Sequence, residues 1–525
     1  MFKNLLIILI LLSILTSGTE TINGKKLIIG KIYKSSISID EKHSYSIGLQ
    51  NGEALLLEVN QIGIDLAIDV ISPDGEKIKK FDSPNGANGI EKIDFTANKD
   101  GNFTFIIIPF DDKRKNGKYE ITATKLISFP ENLVRLTKKE IPSNILSDLW
   151  EKSLTNKSVI DSFLITNKNR HIIEPIEFDN KNMQVTYFCV PDKNTEYVML
   201  SGGPDFLGMR FHSLGNTKLH FVTQIVPNDA RFQYGFNYFN LQKFGKNNEI
   251  IQRSVDHVYD GIVEMPNAPK QNYILERDNV KKGSIEVKSI KSKFLSEKRK
   301  ITIYTPFNYN NKTPHNLLII FDGEAYGARP ERKSRIPTPV IMDNLISENK
   351  IKPTIAVLVW SMGKRSKDLI SDNFSNFIAK ELIPWIGNQY NISSNPKNVV
   401  LAGSSRGGFA ASNIALNNPQ IIGNVLSQSG SYWITNSEKR NHWIYPEYQG
   451  KLIKLFKTSP KIPIKFYMDV GLYDAGASML GFNRQLKDIL EIKGYDVTYY
   501  EFKGGHSYIN WRGTLAKGLI TLLGN

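Results

Sequence analysis

The sequence predicts β-sandwich domains in the N-terminal part of the chain, followed by an α/β domain with a mainly parallel sheet and helices on both faces. Three observations predict it. Short alternating runs such as Leu66, Ile68 and Val70, or Phe103, Phe105 and Ile107, recur early in the chain between turn signals. A second β-rich stretch, from Val185 to Asn240, is dense in aromatic residues. From Ser284 onward, apolar runs alternate with helical stretches, as in strand–helix–strand units. A chain of 525 residues exceeds what one hydrophobic core organises, so several domains are required.

Taken in order, residues 1–18 have the layout of a secretory signal. Lys3 supplies the charge, Leu5 to Leu15 the apolar run, and Thr16, Ser17 and Gly18 the small residues. The run is too short to cross a bilayer comfortably, and no later segment is long and apolar enough to do so. A periplasmic or secreted protein is the expectation. Residues 20–128 read as one β-sandwich, with Pro73-Asp74-Gly75, Lys99-Asp100-Gly101 and Asn116-Gly117 as turns. Residues 145–272 form a second β domain, entered by a helix over Ile145–Ser153 and left by a linker over Val255–Asn272 that Pro266 and Pro269 stiffen. Its aromatics mark either a carbohydrate- or aryl-binding surface or simply core, and core is the commoner outcome.

Residues 280–525 hold the α/β domain. Strands are expected at Leu317–Phe321, Thr354–Trp360, Val399–Ala402, Ile464–Val470 and Val497–Phe502, with the clearest helices at Phe374–Ile386 and Arg484–Lys493. Cys189 is the sole cysteine, which excludes an intramolecular disulfide and cysteine-rich metal sites. The formal charge of +15 comes from lysines spread along the whole chain. Such a spread suits a general preference for anions, or simply a lysine-rich composition, better than a nucleic-acid groove.

The chemistry gathers in the last domain. Gly403-Ser404-Ser405-Arg406-Gly407 follows an apolar strand and precedes a helix of small residues beginning near Phe409. This is the G-x-S-x-G nucleophile elbow, in which glycines permit a turn tight enough to lift the serine above the sheet edge. An α/β-hydrolase follows, with Ser405 as nucleophile. A serine hydroxyl needs a base, and His506, preceded by Gly504 and Gly505 just past the last strand, is placed to be one. His315 and His442 lack such a position. The chain order Ser–acid–His leaves Asp469 and Asp474 as acids; Asp474, in the loop itself, is favoured for reach. Two backbone amides should stabilise the oxyanion, one from Arg406 and one from the loop Asp322–Ala325, taken as Gly323.

These residues resemble the enterochelin (enterobactin) esterase family of esterase D-like α/β-hydrolases. The likeness continues through Phe321-Asp322-Gly323, Arg365 with Asp368-Leu369, Glu381-Leu382-Ile383-Pro384-Trp385, Ser427-Gln428-Ser429-Gly430-Ser431-Tyr432-Trp433 and Gly504-Gly505-His506 leading to Trp511-Arg512. Val185-Thr186-Tyr187 and Glu264-Met265-Pro266 look like the family's immunoglobulin-like N-terminal domain and its junction. The resemblance implies hydrolysis of a cyclic triester siderophore with no metal cofactor, iron arriving only within a ferric substrate. It also implies that Arg365, Arg406, Arg484, Arg512 and Trp433 meet a small anionic aromatic ester. The first β-sandwich resembles the pre-peptidase C-terminal type and, like the signal, departs from the family's usual arrangement; so does Ser507, where relatives often carry Asp. A feruloyl- or acetyl-type carbohydrate esterase is the alternative within the same chemistry, and a surface binding protein with a vestigial hydrolase domain is the alternative outside it.

Overall fold

The computed structural model describes residues 21–524 apart from 111–114, 194, 206–207, 240–260, 308, 328–334 and 436–448. The expected signal segment and His442 lie outside the described residues. The chain divides into two compact units, Met1–Glu151 and Lys152–Asn525.

In the first unit, nine strands between Thr21 and Ile127 form a five-stranded and a four-stranded sheet. One apolar core joins them. Leu66, Ile68, Val70, Phe103, Phe105 and Ile107 are fully buried in it, because alternate residues of a strand share one face. Two helices follow, Phe129–Glu140 and Asn144–Ser153. The sequence reading missed the first, although Pro130 and Glu131 in its opening turn are ordinary helix-start residues.

The second unit begins with a helix, Val159–Thr166, and two four-stranded sheets around one core. Tyr187, Phe232, Tyr234 and Phe236 are buried there. These aromatics pack in the core. Within the expected linker, Gly261–Glu264 is instead a strand, paired antiparallel with Arg231–Tyr234.

The remainder is an α/β-hydrolase fold built on an eight-stranded sheet. The strands Ser284–Ser292 and Glu297–Thr305 are antiparallel at one edge, and then Thr354–Val359, Asn316–Phe321, Val399–Ser404, Asn424–Gln428, Lys465–Tyr473 and Asp496–Gly505 run parallel. Both faces are covered. Leu317, Ile319 and Phe321 pack with Phe377, Phe409 and Ile414 on one side, while Leu318 and Ile320 meet Ile341, Leu345 and Leu519 on the other. Continuous apolar strands are the consequence of that double burial.

The helix expected at Phe374–Ile386 runs from Asp372 to Gln389 with a π-helical stretch over Phe377–Leu382. Pro384 just beyond it has no N–H to donate, and a local widening accommodates the missing bond. The helix expected at Arg484–Lys493 starts earlier, at Gly476, where Gly476-Ala475 neighbours and Gly481 hide it from propensity.

Candidate functional site

The strand Val399–Ser404 ends at Ser405, and the helix Arg406–Asn417 begins at the next residue. Ser405 has φ 58° and ψ −121°, a region that side chains rarely occupy. The surrounding backbone holds it there. Ser405 N–H donates to the Gln428 carbonyl at 2.8 Å, and its own carbonyl accepts from Ser431 N–H at 2.9 Å. Two nearby glycines are sterically required: a Cβ at Gly403 would stand 2.8 Å from Gly407 Cα, and one at Gly408 would stand 2.4 Å from Ser427 Oγ, whereas one at Gly407 would meet nothing nearer than 3.7 Å. The Ser405 hydroxyl lies 3.2 Å from that of Ser431.

His506 Nδ1 lies 2.6 Å from Asp474 Oδ1. The sheet register explains the meeting: Tyr473 pairs with Gly505, so Asp474 and His506 leave neighbouring parallel strands together. Asp474 is fully buried, and its Oδ1 also accepts from the Ala475 N–H at 2.6 Å. The imidazole stands edge-on to Trp511, centroids 4.8 Å apart, while Trp511 Nε1 donates to Ser429 Oγ at 3.1 Å. Ring and carboxylate are thus both fixed. Asp469, the other acid the sequence offered, is buried within the strand and pairs in register with Tyr500. Burial pushes its carboxyl up to about 7, against the pull of Thr514 and Gln428. The structure joins His506 to Asp474 and leaves Asp469 in the core.

Arg406 is the first residue of its helix, where N–H groups have no partner within the helix. Gly323 opens a short helix, Gly323–Tyr326, after Asp322 turns left-handed at φ 58°. A Cβ on Gly323 would come within 2.9 Å of the Leu358 carbonyl, so the loop needs glycine to lie against that strand. Arg365 fastens it: its guanidinium donates to both Asp322 carboxylate oxygens at 2.7 and 2.8 Å and to the Ser404 carbonyl at 3.1 Å. Arg365 therefore ties the loop carrying Gly323 to the strand carrying Ser405.

The other residues expected at a substrate are less uniformly placed. Arg406 donates from its guanidinium to the Ser366 carbonyl at 3.1 Å. Trp433, partly buried, packs on the core beyond Ser431. Arg484 is held away by Glu501 in a two-point ion pair at 2.6 and 2.7 Å, on the half-exposed face of its helix. Arg512 turns to Gln271 Oε1 at 2.7 Å, at the junction with the preceding β domain. That junction is extensive, since Lys503 pairs with Asp229 and Asn510 Nδ2 donates to the Arg231 carbonyl.

A cleft of about 380 Å³ opens beside His506, lined by Gly202, Gly203, Gln233, Tyr473 and Ser507 among others. Ser507 Oγ donates to Gln233 Oε1 at 2.8 Å, joining the two domains next to the imidazole. Gln233 was not foreseen, because nothing local in Arg231-Phe232-Gln233 signals a partner 274 positions away. Ser431 was within the quoted family motif but had no role until its contact with Ser405 was seen. Among the described residues no His/Cys/Asp/Glu group has a metal-holding arrangement. No helix among them is long and apolar enough to cross a membrane.

Comparison with known proteins agrees with this architecture. The Esterase family model matches residues 292–522. The iron(III) enterobactin esterase of Dickeya dadantii is 26% identical over 275 residues, covering 49% of this chain and 60% of that protein. This chain thus spans less than two thirds of that relative's length. An endo-1,4-beta-xylanase/feruloyl esterase of Xylanibacter ruminicola is 25% identical over 207 residues, 36% of this chain and 28% of that protein. The crystal structure of the enterobactin esterase of Shigella flexneri in the presence of enterobactin superposes with a TM-score of 0.54 at 21% identity, over 68% of this chain and 97% of that one. At that identity the superposition speaks for the fold. Residues 292–522 match the Esterase family model, and the chain is similar to iron(III) enterobactin esterases.

Proposed function

We propose that this chain is an exported serine esterase that hydrolyses the ester bonds of an enterobactin-like catecholate triester, or of its linear fragments, in iron acquisition. The observation that carries the reading is the 2.6 Å contact between His506 and a buried Asp474, on the same sheet edge as the strained Ser405. Ser405 Oγ attacks the ester carbonyl as His506 Nε2 takes its proton. Asp474 keeps the ring oriented and stabilises it once charged. The amides of Arg406 and Gly323 receive the carbonyl oxygen as it becomes negative. His506 then returns the proton to the departing alkoxide, and a water molecule repeats the sequence on the acyl-enzyme. The Ser405 hydroxyl, 3.2 Å from that of Ser431, must turn to the imidazole for this step. No cofactor is assigned to these steps; iron enters only with a ferric substrate. The apolar start of the chain supports export.

The feruloyl esterase reading is favoured by the Xylanibacter relative. Purified protein offered enterobactin, its linear forms and ethyl ferulate separates the two: hydroxybenzoylserine fragments support the proposal, and ferulate release without them replaces it. Ser405→Ala should lower kcat by roughly 10⁴-fold or more while the folded circular dichroism spectrum persists. A variant that keeps near-normal turnover contradicts the assignment.

A further inference from the structure

A cavity of about 390 Å³ lies where Arg231, Tyr500–Lys503 and the helix Tyr508–Leu523 come together. It shares no lining residue with the cleft beside His506. Its wall carries Arg231, Lys270, Lys503 and Lys517 against two carboxylates, Asp229 and Glu501. Both carboxylates are already engaged, Asp229 by Lys503 at 2.8 Å and Glu501 by Arg484 at 2.6 Å. Lys270 is exposed, and the Lys517 ammonium sits 3.5 Å over the ring of Tyr500. The local balance therefore favours an anion.

Two buried polar atoms of this wall lack hydrogen-bond partners among the described residues: the donor Arg231 Nε and the acceptor Asn510 Oδ1. Their residues are only 6% and 7% exposed. The rest of each side chain is satisfied, since Arg231 donates to the Pro269 carbonyl and Glu264, and Asn510 Nδ2 donates to the Arg231 carbonyl. Buried groups of this kind normally have partners. One donor, one acceptor and two lysines with no carboxylate partner among the described residues call for a molecule with both a negative group and a hydroxyl.

We propose that this cavity binds a small hydroxy-carboxylate, its carboxylate meeting Lys270, Lys517 and Arg231 Nε and its hydroxyl donating to Asn510 Oδ1. Resting on the esterase reading above, this is the chemistry of the product: hydrolysing a cyclic ester of hydroxy acids leaves a chain with a carboxylate at one end and a hydroxyl at the other, and complete hydrolysis leaves units that carry both. Phe502 and Lys503 line the cavity and lead through Gly504 and Gly505 to His506, so an occupant rests against the segment that carries the base. The site is suited to sensing product.

The test is calorimetric titration of full-length Ser405→Ala protein, which cannot turn over, with 2,3-dihydroxy-N-benzoyl-serine. Two binding events are expected. One of them should weaken roughly tenfold or more in a Lys270→Ala/Lys517→Ala background, as removing a charge partner of a buried anion does. Asn510→Leu should weaken the same event. A single event unaffected by the lysine substitutions overturns the proposal, and those surface changes do not threaten folding. Wild-type hydrolysis is read separately: an inactive parent that retains the lysine-dependent event loses the esterase reading and keeps this site, whereas an active parent without that event loses this site alone.

Discussion

The elbow and the acid–base pair reach the same edge of the sheet by different means. At the elbow, backbone does the positioning: Ser405 is pinned by amide–carbonyl bonds to Gln428 and Ser431, and Gly403 and Gly408 leave no room for a Cβ. At the acid–base pair, side chains meet because register brings two strands out together, Tyr473 beside Gly505. A constraint on neighbouring backbone writes itself into five consecutive residues. A constraint on register is written nowhere in particular. The comparison also separates two carboxylates on one strand, Asp469 and Asp474, by environment rather than by identity.

The largest effect that sharpens this contrast is expected from Asp474→Asn. The amide can hydrogen-bond His506 but cannot stabilise its charged form, and it favours the wrong tautomer. Loss of kcat by roughly 10²- to 10⁴-fold follows, with KM little changed. Steady-state kinetics on the preferred ester would show it. If Asp469→Asn proved the more damaging in kcat, the geometric pairing with His506 would not be the functional one.

Asp469→Asn should instead act on stability. Its native carboxyl, held at about 7, binds a proton more tightly than an unfolded aspartate near 4. The native state therefore draws stability from this group at low pH and loses it as pH rises through 7. Asparagine does not ionise, so the variant escapes the penalty of burying a charge. Urea unfolding should show it more stable than the parent at pH 8 by roughly 2–4 kcal/mol, with the gain vanishing near pH 4. A gain that grows toward low pH would mean the carboxylate is favoured, not penalised, by its site.

The elbow has its own probe in Gly408→Ala. The added methyl meets Ser427 Oγ at 2.4 Å and Gly430 Cα at 3.1 Å. Both neighbours belong to the strand and turn that hold Ser405, so there is little room to yield. A loss of about 1–3 kcal/mol is expected from such overpacking, read from the shift in chemical or thermal midpoint. A neutral outcome would show that the elbow tolerates more than its glycines suggest.

These contrasts explain what was legible beforehand. The parallel sheet was readable because strands buried on both faces become unbroken apolar runs, as in Leu317–Phe321. Ser405 was readable because its strain demands local glycines. His506 was visible by its position after Gly504 and Gly505, but Asp474 was preferred to Asp469 only for its reach, since sequence order cannot supply register. The strand Gly261–Glu264 was hidden by its own proline-rich sequel, and Gln233 by its distance along the chain from Ser507. Arg365 was expected to meet an anionic substrate, yet its guanidinium in the structure binds Asp322, a role no anion-binding argument suggests.

Arg484 supplies the smallest expected effect and a control on charge arguments generally. Expected at an anionic substrate, it is bound to Glu501 by a two-point pair whose arginine side chain is 51% exposed. Exposed ion pairs contribute roughly 0–1 kcal/mol, because water screens the attraction and ordering both side chains opposes it. Arg484→Ala should therefore shift stability by less than about 1 kcal/mol and leave both kcat and KM within about twofold. Arg365→Ala, by contrast, frees the loop that presents Gly323 and should reduce kcat. A KM increase in Arg484→Ala equal to that of Arg365→Ala would place Glu501 and Arg484 within reach of substrate after all, and would show that net positive charge, rather than the architecture around Asp322, recruits the ester.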